Sequence, residues 1–343
     1  MRPIRLLAVP FTLLVLLGAM SFYPAFAGRR VATFSIVGYD PVTGDLGVAV
    51  ESRFFAVGSV VPWAKAGVGA VATQSFANTT FGPKGLQLLE KGLAPAEVLD
   101  QLVKSDAQAE QRQAGIVDAQ GRTATWTGAK CNAWAGGKTG KNYTAQGNIL
   151  TGKEVVEAMA ASFEASAALP LADRLVKALA AGQAAGGDSR GQQSAALLVV
   201  RDKGGYAGYN DRYIDLRVDD HPRPIDELQR LLELHHTTNA YADARFWMDK
   251  GEQDRAVKIM EEATRRRVSG AGAKQADQGG AYYDLACFYA LAKMTGPALA
   301  NLEKAFRLNP TLVPYSLNDT DLDPIRDDPR YKAWVKDAGA PKK

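Results

Sequence analysis

The sequence predicts a layered α+β sandwich followed by an all-α helical module. Three observations carry this reading. Runs rich in β-branched and small apolar residues recur up to about residue 218, each bounded by Gly, Pro, Asn or Asp turns. Helical patterns come in groups between them, not after every strand, which favours antiparallel sheets with helices on their faces over a doubly wound parallel sheet. Beyond His236 every periodic stretch has helical spacing and no strand candidate remains.

The elements follow in order. Arg2 and Arg5, the apolar run from Leu6 to Ala19 and the small-x-small triplet Ala25-Phe26-Ala27 have the order of a signal peptide. The apolar run falls short of the roughly 20 residues of a membrane span. The expectation is an exported protein, periplasmic or secreted, cleaved after Ala27 and without a stable membrane span. Loss of Arg2 and Arg5 lowers the formal charge of the 343-residue chain from +4 to +2. The remaining charges are well mixed, and Tyr and Trp are scattered, so no nucleic-acid partner is expected.

Strand candidates at 33–38 and 46–51 are joined by Asp40-Pro41-Val42-Thr43-Gly44-Asp45, a turn-rich link. The small apolar stretch 67–73 reads as a buried strand that admits close backbone approach. Helices are expected at 84–91 and 95–105, the second with the stripe Val98, Leu99, Leu102 and Val103. Strands at 114–118, 123–127 and 143–150, helices at 152–166 and 171–181, a Gly-rich loop at 182–191, strands at 195–201 and 213–218 and a helix at 224–234 complete a domain spanning 28–237.

A second unit is expected over 238–343. Helices at 242–248 and 253–267 pair around Gly251, and those at 281–293 and 296–308 pair before Pro310, with 269–280 a flexible insert between them. The spacing of Tyr282, Ala286, Tyr289, Ala290, Ala298, Leu302, Ala305 and Pro310 resembles a tetratricopeptide repeat, whose small residues let helices cross closely. One repeat and a part is fewer than the roughly three that a free-standing solenoid needs. The module is therefore expected to cover the first domain, a protein partner through residues 240–343, or a second copy of the chain.

Composition removes several chemistries. Two Cys exclude a disulfide-dense scaffold and a Cys-rich zinc module. Three His, two of them the adjacent His235 and His236, do not suggest a multi-His centre, and neither metal nor cofactor is expected. No Walker loop, dinucleotide-binding glycine fingerprint, Gly-x-Ser-x-Gly elbow or His-Glu-x-x-His helix is present. Asp219, Asp220 and His221 read as a strand exit and helix cap, Cys287 as a core residue, and Cys131 has no His near it in sequence.

Several separate blocks occur in order: Thr33-Phe34-Ser35-Ile36-Val37-Gly38, Gly47 to Arg53, Val61 to Gln74, Gln113 to Asp118, Gln146 to Leu150, Gly187-Asp188, Gly191 to Ala196, Asn210 to Tyr213 and Leu216 to Pro222. Together they resemble the uncharacterised DUF1028 family, which is assigned to the Ntn-hydrolase-like superfamily. The resemblance covers about residues 32–236 and implies a four-layer αββα sandwich.

A more distant likeness is to the opening of proteasome β subunits, where a Thr heads the first strand, an acidic-Ser-Arg motif ends the next and a Lys follows. It implies that Thr33 is a nucleophile whose own α-amine acts as base, that Lys65 lowers the relevant pKa values, and that Glu51 orients Lys65. Asp188 and Ser194 resemble the residues that complete such sites. Gln74 and Asn148 would offer amide N–H donors to an oxyanion, with Arg53 on the substrate side. The implied activity is hydrolysis of a small amide or peptide. It requires a free amine on Thr33, and five residues, Gly28 to Ala32, precede Thr33 after leader cleavage, so further trimming is required. The competing expectation is a non-catalytic binding or scaffold protein that uses the sandwich and the helical unit for protein partners.

Overall fold

The structure is a computed structural model and describes residues 33–269 and 274–336. The leader expected at 1–27 lies outside the described residues. Ten strands are formed among them: β1 (Thr33–Tyr39), β2 (Leu46–Ser52), β3 (Pro62–Lys65), β4 (Gly69–Ser75), β5 (Arg112–Asp118), β6 (Thr123–Thr127), β7 (Gly136–Gly140), β8 (Tyr143–Asn148), β9 (Ser194–Val200) and β10 (Arg212–Val218). They build two antiparallel sheets, one six-stranded in the order β10-β9-β2-β1-β8-β7 and one four-stranded in the order β3-β4-β5-β6.

The two-residue period of β1 decides what lies on each side of the larger sheet. Phe34 and Ile36 point outward into a core with Met159 and Phe163 of α3 (Glu154–Ala165) and Leu175 of α4 (Leu171–Ala184). Val37 points inward, against Ala70, Ala72 and Val117 of the smaller sheet. Thr33 and Ser35 share that inward face. The smaller sheet in turn presents Val71, Ala114 and Ile116 outward to Phe81 of α1 (Phe81–Glu90) and Val98 and Leu102 of α2 (Pro95–Lys104).

Two strands escape the sequence reading. β3 has four residues and opens on Pro62, and its extended state comes from the register Pro62↔Ala72 to Lys65↔Gly69 with β4. β7, Gly-Gly-Lys-Thr-Gly, carries no apolar alternation and is held by pairing with β8 from Gly136↔Gly147 to Gly140↔Tyr143.

Among the described residues after Val218 every regular element is helical: α5 (Pro224–Thr238), α6 (Ala240–Asp249), α7 (Gln253–Ser269), α8 (Gln275–Leu291), α9 (Thr295–Leu308), α10 (Leu312–Ser316) and α11 (Pro329–Val335). The insert expected at 269–280 is corrected in part, because Gln275–Gly280 already belong to α8 and bury Gly279. Ala240, Ala244, Ala256 and Ala263 are small enough to let α6 and α7 close on Phe288 of α8. Ala286, Ala290, Ala298 and Ala305 serve the α8–α9 contact. No helix among the described residues is long and apolar enough to cross a membrane.

The helical part is fastened to the sheet through Arg201, just beyond β9. Its guanidinium makes two 2.7 Å bonds to Asp45 and lies between the rings of Tyr213 (3.8 Å) and Phe246 of α6 (4.2 Å). Tyr213 Oη donates to Asp243 of α6 at 2.7 Å, closing the clasp.

Gly82 shows how tightly α1 is seated. A Cβ there would stand 2.2 Å from the Trp63 ring, which is pinned by its own N–H bond to the Val60 carbonyl. Gly82→Ala is expected to destabilise by about 1–3 kcal/mol through overpacking, lowering Tm by several degrees in a thermal melt. An unchanged Tm would show that α1 can shift away from β3.

Candidate functional site

Strand register gathers the sequence-picked residues at one end of the six-stranded sheet. Ser52 pairs with Ser194, Thr33 pairs with Asn148, and Thr33 Oγ1 donates to Ser52 Oγ at 3.1 Å. Ser194, Ser52, Thr33 and Asn148 therefore form one transverse row on the inward face, and all four are buried. Asn148 Nδ2 donates to Gln113 Oε1 at 3.0 Å, while its buried Oδ1 has no partner among the described residues. Ser194 anchors the loop that follows β2, since its hydroxyl donates to the Phe54 carbonyl and accepts from Val57 N.

Glu51 stands one residue back and points to the opposite face, because its register partner is the outward Phe34. It is fully buried, and neither carboxylate oxygen makes a hydrogen bond among the described residues. Burial pushes its pKa well above the ordinary carboxylate range and the charge of Asp188 adds to the effect. The nearby Gln193 backbone N–H, which falls short of a hydrogen bond, and the charge of Arg190 offset only part of this. Asp188, by contrast, is saturated: its oxygens accept from Arg53 N (3.0 Å), Arg190 N (2.9 Å), Arg190 Nε (3.2 Å) and Arg190 Nη2 (2.9 Å). It fixes the turn that leaves β2 beside the row.

Just beyond the row lies a cleft of about 1020 Å³. Arg53 follows Ser52 into it, Ile149 follows Asn148, and Gln193 precedes Ser194; Phe55, Asn132, Arg190 and His221 also line it. Arg53 is exposed, and its guanidinium bonds only the Arg190 carbonyl (3.1 Å) among the described residues. Ile149 has φ +54°, a left-handed conformation that a β-branched residue adopts at a cost. Its N–H donates to Asn132 O and its carbonyl accepts from Ser189 N, both at 3.0 Å, so the surrounding loops hold it there.

Three expected roles do not meet this geometry. Lys65 is half exposed and forms an ion pair with Glu90. Its register partner Gly69 lies five residues along β4 from Gln74, which touches Thr33, a separation of about 17 Å at ~3.4 Å per residue. Lys65 therefore does not join Thr33, and Glu51, facing the helices, does not orient it. Gln74 Nε2 is occupied by Gln113 Oε1 (2.8 Å), Thr33 O (3.3 Å) and Gln146 O (3.4 Å), which leaves it no free donor for an oxyanion.

Residues that the sequence left without a role complete the setting: Gln113, Gln146, Ser35 and Arg190. The signal for the first three was present, as polar side chains at inward positions of otherwise apolar strands. Among the described residues no group of three or more His, Cys, Asp or Glu could hold a metal ion, and Cys131 and Cys287 are free thiols.

The buried Glu51 carboxyl has a signature in stability. Below the ordinary Glu pKa of about 4.3 it is protonated in both folded and unfolded chains. As pH rises past that value the unfolded chain ionises first, so folding loses stability until the folded pKa is passed. Glu51→Gln removes this loss. The Tm of Glu51→Gln relative to the natural protein is expected to rise by about 3 °C or more from pH 4.5 to 8, roughly 1 kcal/mol for a chain of this size. A gap that stays flat across that range contradicts a buried, unpaired Glu51.

A crystal structure of protein SPO2555 from Silicibacter pomeroyi, described as DUF1028, superposes with a TM-score of 0.54 at 33% identity, covering 59% of this chain and 85% of that one. No curated protein matches the chain. The family model for DUF1028, a family of unknown function, matches residues 33–228, from Thr33 itself through β10 and into α5. The chain belongs to the DUF1028 family.

Proposed function

We propose that the protein is an amide-bond hydrolase of the N-terminal-nucleophile type, in which Thr33 becomes the first residue and attacks a small amide or peptide held in the cleft. The observation that carries this reading is the place of Thr33. It heads β1, adjoins Ser52 and Asn148 in the polar row, and opens the stretch matched to the family. The packing of helices on both outer faces of paired sheets supports a four-layer αββα sandwich of the Ntn-hydrolase-like kind.

In this mechanism the α-amine of Thr33 takes the proton of Oγ1 as Oγ1 bonds to the substrate carbonyl carbon. Collapse of the tetrahedral intermediate breaks the C–N bond, and the proton passes from the amine to the leaving nitrogen. Water then attacks the Thr33 ester, returns a proton to Oγ1 and releases the acid. Ser52 Oγ, 3.1 Å from Oγ1, sets the direction of attack. The second N–H of Asn148 is the donor nearest in register to the developing oxyanion. Lys65 takes no part. The reading keeps the leader at 1–27 and export, and adds a second cut before Thr33. It also keeps the tetratricopeptide-like reading of α8 and α9, supported by their small crossing residues.

A second reading is a binding protein without turnover. It is favoured by the complete burial of Thr33, whose hydroxyl is spent on Ser52, and by the occupied amide of Gln74. N-terminal mass determination on the exported protein, together with amine release from an amide and peptide library, separates the two. The hydrolase reading expects a chain beginning at Thr33, a fall of about 10³-fold or more in Thr33→Ala, and Lys65→Met within about twofold of the natural protein. A homogeneous active protein that begins ahead of Thr33 overturns it.

A further inference from the structure

A second cavity, of about 330 Å³, lies where α6 and α7 meet the larger sheet and the start of α4. That volume is at the lower end of the range for small-molecule sites. Its lining mixes charge with apolar surface, and the charges do not balance pairwise.

Each carboxylate in the lining is engaged. Asp45 holds Arg201 through two 2.7 Å bonds, and Asp243 accepts from Tyr213 at 2.7 Å. Asp173 meets His236 Nε2 at 3.1 Å, and Glu262 accepts from Arg266 Nε at 2.8 Å. Two lining cations on α7, Arg255 and Lys258, have no carboxylate partner among the described residues. Spaced three apart, they share one face of the helix.

The Arg255 guanidinium lies 3.5 Å from the centroid of the Trp247 ring, which holds it over an apolar wall shared with Leu169, Pro170 and Ile259. Burial works against a charge on His236, but the Asp173 hydrogen bond and charge outweigh it, so His236 also leans toward its cationic form. The cavity thus offers positive charge at its α7 side and an aromatic and aliphatic surface beneath.

We propose that this cavity binds a small organic carboxylate with an apolar body, its charge between Arg255 and Lys258 and its body against Trp247 and Ile259. A planar guanidinium suits a carboxylate in two-point contact, and the neighbouring ammonium adds a second charge-assisted bond. The site is remote from Thr33 and independent of any hydrolysis. Because its walls come from both the sheet part and the helical part, an occupant would bridge them.

The test uses the full chain, with benzoate, acetate, benzyl alcohol and phenyl phosphate as probes, read by calorimetric titration and by Tm. Benzoate is expected to bind saturably and raise Tm, with acetate and benzyl alcohol at least about tenfold weaker. Arg255→Gln with Lys258→Gln is expected to weaken benzoate at least about tenfold; Lys258→Gln alone, at an exposed unpaired position, gives a smaller loss with unchanged unliganded Tm. Absence of saturable benzoate binding, equal binding to the double variant, or equal binding of benzyl alcohol overturns the proposal. Tighter binding of phenyl phosphate than of benzoate overturns the assignment to carboxylates.

Discussion

The arrangement depends on a buried amide network between the two sheets. Gln74, Gln113 and Gln146 reach across from three strands with Ser35 and Asn148, and their side chains bond one another and backbone carbonyls. A polar group in that position costs about 1–3 kcal/mol if left unpaired, so the sheets have one register in which the network closes. A slip of one residue would turn every one of these amides to the helix side. Gly115 belongs to the same constraint: a Cβ there would stand 2.2 Å from Gln146 Oε1, which Thr144 Oγ1 already holds. The polar row of Thr33, Ser52, Asn148 and Ser194 is a consequence of this register.

Seen this way, the parts of the chain that were readable from sequence are those in which local pattern and tertiary role agree. β1, β2, β5, β6, β9 and β10 carry β-branched runs or alternation, and α1 to α9 carry apolar residues at helical spacing, so each appears close to its expected place, whereas the sequence reading places no helix at α10 or α11. β3 and β7 have no such pattern and exist only because β4 and β8 pair with them. Within the site, Thr33, Asn148, Ser194 and Asp188 converge because antiparallel pairing brings the ends of β1, β2, β8 and β9 together. Lys65 misleads for the same reason: it lies at the far end of the β3–β4 hairpin from Gln74, and distance along the chain says nothing of which end of a hairpin a residue occupies. Glu51 and Ser52 are neighbours in sequence, yet period 2 sends one to the helices and the other to the inter-sheet layer.

The cleft differs from the network in its physics. The network is buried and paired but for Asn148 Oδ1 among the described residues, whereas the cleft carries an exposed guanidinium, the 58% exposed Phe55 and a strained Ile149. Loops held by their own hydrogen bonds on a rigid sheet end can keep such features without loss of the fold. Asp188 links the two regimes: buried itself, it binds the Arg53 backbone and the Arg190 head group, so the cationic rim is positioned from within.

The helical part is anchored at the other end of the same strand. β9 begins at Ser194 beside the cleft and leads out to Arg201 in the clasp, a span of about 24 Å at ~3.4 Å per residue. Among the described residues, none that lines the cleft comes from beyond Pro222. The helices therefore neither roof the cleft nor supply its chemistry. What they share with the sheet is the Asp45–Arg201–Tyr213–Asp243 group, in which a buried cation sits between two carboxylates and two rings. Removal of Arg201 from such a group is costly, because it leaves the buried Asp45 and Asp243 without their cation. The junction thus fixes the helices against the sheet by charge complementarity as well as by the apolar face of α5, Ile225, Leu228 and Leu232, and the cationic cavity on α7 is the part of that junction whose Arg255 and Lys258 meet no carboxylate among the described residues.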